Sequence, residues 1–137
     1  MTDVNTVAGS GIEISQAGGA GTDVTIKALY GDPNTIVCTQ ASDFTPPLDS
    51  SKLYIVSGPI DFTGTGISIE VPAGGLSMAG SSFDLSKLVC TDDNYTLFTS
   101  PAGGSGNLTK RDIACTTSGV NSKVYALDYF NSLSAFE

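Results

Sequence analysis

Glycine, proline or a run of β-branched residues interrupts every window of this chain before an apolar pattern of helical period can build. No long helix is therefore available to it, and its order has to come from short strands. Strand-like segments are readable at 24–30, 35–39, 53–56, 67–71, 76–78, 96–98, 112–115 and 123–127, each rich in β-branched, aromatic or aliphatic residues. Turn formers separate them: Gly31-Asp-Pro-Asn34, Gly58-Pro59, Thr63-Gly-Thr-Gly66, Pro72-Ala-Gly-Gly75 and Pro101-Ala-Gly-Gly-Ser-Gly106. In these, glycine supplies positive φ and proline fixes the entry. The expected fold class is all-β.

Folding itself is expected. Disorder needs few apolar residues and dense charge, whereas 40% of the 137 residues are hydrophobic and 15% are charged. That length suits one ordinary domain, or a smaller domain with an appended arm. Residues 1 to about 23 are mostly glycine, alanine, serine and threonine with few large apolar groups, and read as an extended arm. Within it Ile12-Glu-Ile14 offers a strand with which a partner could pair. The Pro46-Pro47 pair cannot continue a ladder and marks a boundary. The expected organisation is an arm with capping strands over 1–48 and a β domain over 49–137.

Downstream of Pro47 the apolar triplets recur. Ile55 to Leu76 and Leu76 to Leu97 are each 21 residues, Ile67 to Leu88 is 21, and Leu88 to Leu108 is 20. Two strand series advancing together between glycine turns is the pattern of a solenoid, whose coils stack inward apolar side chains over one another. The same spacing also fits successive hairpins of a β-sandwich, which is the alternative. A stack of few coils needs its end covered, and 24–39 is the expected cap.

The stretch Lys52-Leu-Tyr-Ile-Val-Ser-Gly-Pro-Ile-Asp61, then Ile67-Ser-Ile-Glu-Val-Pro-Ala-Gly-Gly-Leu-Ser-Met-Ala-Gly80, Asn107-Leu-Thr-Lys-Arg-Asp-Ile113 and Gly119-Val-Asn-Ser-Lys-Val124 resembles the opening coils of pectate-lyase-like parallel β-helices. Such helices occur in many bacteriophage tailspikes and virion surface proteins. The resemblance covers about residues 50 to 130 and implies a short right-handed parallel β-helix. It also implies a virion component in which a glycine-rich N-terminal segment serves as anchor. With few coils, a long catalytic groove has no room.

The chemistry of the side chains points the same way. Histidine is absent, which removes Ser-His-Asp and Cys-His catalysis and every histidine metal ligand. Fourteen acidic against six basic residues give a net charge of −8, which repels a phosphate backbone. Lys27, Lys52, Lys87, Lys110, Arg111 and Lys123 are scattered, so neither nucleic acid nor an anionic membrane is an expected partner. No apolar stretch is long enough to span a bilayer, and the N-terminus lacks a basic start and an apolar core, so synthesis in a cytoplasm is expected. Cys38, Cys90 and Cys115 are odd in number and lack a CxxC pair, which fits small buried hydrophobes.

Glycoside cleavage needs only two carboxylates, for which Asp61, Asp84, Asp92, Asp93 and Asp112 are candidates; Asp92-Asp93 is the densest cluster. Thr91-Asp-Asp-Asn-Tyr95 lacks the alternation of a calcium loop. The glycine runs lack a following P-loop lysine. No cofactor or metal is expected.

The expected function is that of a non-catalytic bacteriophage virion structural protein, a capsid decoration or the anchoring base of a fibre or spike. It would be assembled in the bacterial cytoplasm, homotrimeric, and bound to other virion proteins. Ile12 and Ile14 on the arm, and Tyr129, Phe130 and Phe136 near the C-terminus, are the expected partner-binding residues. The alternative is a spike domain that binds or cleaves host polysaccharide, with Asp92, Asp93 and Asp112 to test. An extracellular adhesin fragment is a third reading.

Overall fold

The computed structural model describes residues 33–129, together with the backbone of three strands outside that range. The chain divides into two compact units, Met1–Pro33 and Asn34–Glu137. In the first, β1 (Ile12–Gln16) pairs antiparallel with β2 (Val24–Ala28), setting Ile12 opposite Ala28 and Ile14 opposite Ile26. Ile12-Glu-Ile14 thus pairs with a strand of its own chain.

The second unit is a short parallel β-helix. Its strands, in chain order, are β3 (Thr35–Cys38), β4 (Leu53–Val56), β5 (Pro59–Asp61), β6 (Ile69–Glu70), β7 (Leu76–Ala79), β8 (Lys87–Cys90), β9 (Thr96–Thr99), β10 (Leu108–Arg111), β11 (Ala114–Thr117), β12 (Lys123–Ala126) and β13 (Ala135–Phe136). They stack in three parallel sheets, ordered β13-β10-β7-β4-β3, β11-β8-β5 and β12-β9-β6. Each full coil gives one strand to each sheet, so β4-β5-β6, β7-β8-β9 and β10-β11-β12 are successive turns of one solenoid. Parallel strands need long connections, and here the other two sides of the coil supply them. The sandwich alternative, built from antiparallel hairpins, is excluded.

The coil period differs from the 21-residue recurrence in the sequence. Pro59 stands opposite Lys87, Leu88 opposite Cys115, and Phe98 opposite Ile69 and Tyr125, so neighbouring coils are offset by 27 to 29 residues in these two sheets. The step from Leu76 to Leu97 instead leads from one sheet to another, β7 to β9 of the same coil, whereas Ile55 to Leu76 goes from β4 to β7 of one sheet. With three short strands per coil, the apolar positions of different sheets come round at similar intervals. The recurrence is real but mixes steps between sides with a step between turns.

The second full coil also carries an insertion. Leu53 is opposite Ser77 but Pro59 is opposite Lys87, so the offset grows from 24 to 28 between the first and second sheets. The added residues lie in the loop between β7 and β8, which carries Phe83 and Leu85 about 60% exposed. Buried Ser86 ties its end back, donating from Oγ to the Val56 carbonyl at 2.8 Å.

Inward residues stack as continuous files. Tyr54 lies opposite Met78, Ile60 opposite Leu88, and Ile69 opposite Phe98, and all six are buried. The end before β4 is closed by β3 and by a 3-10 helix, Ala41–Phe44. Asp43 accepts the Thr39 and Gln40 amide N–H groups at 2.8 and 3.1 Å, satisfying donors that the start of the helix leaves open. Phe44 is fully buried, with its ring 6.2 Å from Tyr54 and 5.8 Å from Phe62. β3 and this helix thus cover that end of the stack, and Pro46-Pro47 lies within the second unit. Its peptide bond is cis.

Candidate functional site

The carboxylates singled out in the sequence sit at the corners of the coils. Asp92 accepts the Gly64 N–H at 2.7 Å, from the coil before it. Asp93 accepts the Val120 N–H at 2.7 Å, from the coil after it. Adjacent in sequence, the two thus reach in opposite directions along the stack. Thr63 and Thr91 reinforce the same corner, the Thr91 N–H donating to Thr63 Oγ1 at 3.0 Å. Above it Asn121 Nδ2 donates to Asn94 Oδ1 at 3.4 Å, and both asparagines hold a left-handed backbone, φ 56° and 55°. Asn is among the few residues that tolerate this conformation. The glycine at the same corner is imposed by packing, because a Cβ on Gly119 would overlap the Asp92 carbonyl oxygen.

Asp61 turns back locally, accepting the Thr63 N–H at 2.9 Å, and these Thr63 contacts hold its carboxyl below the usual range. Asp112 lies at the corner between β10 and β11, with φ 57°. Each of Asp61, Asp92 and Asp93 is engaged by a backbone N–H of a turn, which fixes the carboxylate as an acceptor.

Of the residues expected to meet a partner, Tyr129 lies half-buried in a parallel bridge opposite Ser105, and burial pushes its phenol up. Phe136 is on β13, opposite Thr109 of β10. Phe130 lies outside the described residues, as do the side chains of Ile12, Ile14 and Phe136.

A group of residues that the sequence did not bring together lies on the last full coil. The inward files that run through Met78, Leu88 and Phe98 continue there as Lys110, Cys115 and Tyr125. All three line one cavity of about 350 Å³, which Ile113, Val124 and the exposed Phe83 of the β7–β8 loop complete. Lys110 is 4% exposed, with Nζ 5.6 Å from the centre of the Tyr125 ring, and that ring stacks on Phe98 at 5.4 Å and 18°. Cys115 is half-buried, whereas Cys38 and Cys90 are fully buried as expected of small hydrophobes. Burial pushes the Cys38 thiol up to about 12 and that of Cys90 up as well, leaving both protonated at neutral pH.

Among the described residues no strand pairs with the outer edges of β11 and β12, while the first sheet continues through β13. A second hollow, about 290 Å³, lies at the proline corners and is bordered by Pro47, Leu48, Glu70, Pro72 and Pro101. No helix among the described residues is long and apolar enough to cross a membrane. The chain matches no known protein family, no curated protein and no solved structure.

Proposed function

We propose that this chain is a non-catalytic structural component of a bacteriophage virion, a capsid decoration or the anchoring part of a fibre or spike, and that it works as a homotrimer against other virion proteins. The observation that carries this reading is the use made of its acidic residues. Asp92 and Asp93, the densest carboxylate pair, hold the coil below and the coil above through turn amides 2.7 Å away. In a polysaccharide-cleaving spike these same groups would need to face a sugar, one as acid and one as base or nucleophile. The parallel β-helix is consistent with the resemblance to virion surface proteins, and fold alone does not assign activity.

The test is immunodetection of the chain in phage particles purified by density gradient from a host that expresses it from its native locus. Presence in the particle band at constant stoichiometry is the expected result. Recovery solely in the soluble fraction overturns the reading. Incubation with host capsular polysaccharide should yield no shortened products, and products that disappear with Asp93→Ala would establish the cleaving spike instead.

A further inference from the structure

Asp43, Glu70 and Asp92 are the half-buried carboxylates among the described residues. Two of them are engaged: Asp43 accepts the Thr39 N–H at 2.8 Å and Asp92 that of Gly64 at 2.7 Å. No hydrogen bond or ion pair among the described residues engages the Glu70 carboxylate. Its place in the ladder does not call for charge either. Glu70 stands opposite Thr99 and Thr99 opposite Ala126, so the next two coils carry a threonine and an alanine at the same outward position. Partial burial of a carboxylate without a partner costs free energy that a bound donor would recover.

The surroundings of Glu70 are apolar and stiff. It borders the hollow of about 290 Å³ at the proline corners, with buried Leu48 and the pairs Pro72-Ala73 and Pro101-Ala102. These two pairs open the same turn in successive coils. The Gly75 N–H donates to the Pro72 carbonyl at 2.9 Å and the Gly104 N–H to that of Pro101 at 3.0 Å, with φ 95° and 97° at the two glycines. Proline fixes φ and carries no N–H, so its rings offer rigid apolar surface and no donor for the carboxylate.

We propose that this hollow receives an arginine side chain of a partner protein, an assignment that rests on the virion reading above and deepens it. The Glu70 carboxylate supplies the two acceptor oxygens that a guanidinium binds through parallel N–H bonds. The proline and alanine walls take the methylene stem and the flat, weakly hydrated face of the guanidinium. An ammonium is more strongly hydrated and suits such walls less well. A volume of about 290 Å³ lies just below the range for whole small-molecule ligands and suits a single side chain. The net charge of −8 draws a basic partner toward the chain, and the hydrogen-bonded turns need little reordering to hold it.

Isotope-labelled protein titrated with N-acetyl-arginine amide, and in parallel with its neutral isostere N-acetyl-citrulline amide, tests the assignment. Glu70→Gln removes the charge and keeps the side-chain shape, and Asp84→Asn does the same at an exposed carboxylate of the inserted loop. The amide spectrum of each variant reports its folding. The arginine amide at millimolar concentration should shift the resonances of Leu48, Glu70, Ala73 and Ala102, and Glu70→Gln should weaken its binding about fivefold or more. The citrulline amide should leave those resonances in place, and Asp84→Asn should keep binding within about twofold. Equal shifts from the citrulline amide, unchanged binding in folded Glu70→Gln, equal weakening by Asp84→Asn, or no shift at these residues would each overturn the arginine site. Because the titrations use purified protein, such results would leave the virion reading to stand or fall on its particle test.

Discussion

The two ends of the β-helix differ in the inward side chains they carry, apolar before β4 and mixed on the last full coil. Before β4, Phe44 is fully buried against Tyr54 and Phe62, and the short helix that carries it is fastened by Asp43 to two backbone amides. On the third coil the corresponding files carry Lys110, Cys115 and Tyr125, with Tyr125 38% exposed beside a cavity. Both ends face the same problem, since a coil cannot bury its own inward side chains without a neighbour. One end solves it with apolar groups and a local helix. The other places a lysine, a cysteine and a tyrosine at those inward positions. Closure by packing fixes an end, whereas polar closure leaves it responsive.

The largest test of that contrast is a pair of truncations. Phe44→Ala should lower unfolding free energy by about 3–5 kcal/mol, and Tyr125→Ala by about 1 kcal/mol, both by urea denaturation. Equal losses would mean that the two ends are sealed alike. Gly119→Ala should cost about 1–3 kcal/mol by the same measurement, because the added methyl would press on the backbone of Asp92 and Asp93. A neutral outcome would show that the last coil is loosely seated at its corner as well as at its face.

Alkaline pH should act on the sealed side. The Cys38 thiol has its folded-state pKa raised by burial from the ordinary 9.0 to about 12. Its contribution to stability is complete below pH 9 and is lost as pH rises toward 12. Cys90 is displaced in the same direction. So is Tyr95, whose buried hydroxyl donates to the Ile67 carbonyl at 2.7 Å. Melting temperature should therefore hold up to about pH 9 and fall above it, with a shallower alkaline fall in Cys38→Ala. A loss as small as that of Tyr125→Ala, about 1 kcal/mol, is expected from Asp93→Ala, since its bond to Val120 is exposed. A loss of several kcal/mol would make that corner, rather than the buried files, the main tie of the last coil.

The strands most legible in the sequence were those with apolar residues at alternate or successive places, such as 53–56 and 76–78, which match β4 and β7 closely. β5 was hidden because it opens on Pro59, which reads as part of a turn. β10 was hidden because Lys110 occupies one of its two inward positions, leaving Leu108 as the lone apolar signal. The residue that obscured the strand is also the one that marks the cavity. The strand expected at 112–115 begins two residues later, because Asp112 takes a left-handed turn at the corner. For the site, Lys110 looked like one scattered basic residue and Cys115 like a small hydrophobe, since sequence distance carries no register information until the ladders are known. The corner bonds of Asp92 and Asp93, to partners 28 and 27 residues away, were illegible for the same reason.

The parallel, in-register stacking of β3, β4, β7, β10 and β13 makes the fold a ruler. Each coil advances the structure by one inter-strand spacing, about 4.8 Å, however many residues its corners hold. The inserted loop between β7 and β8 alters girth without altering height. Distance along the axis and girth around it can therefore vary independently: coil number sets how far the stack extends, and corner loops set how wide each turn is.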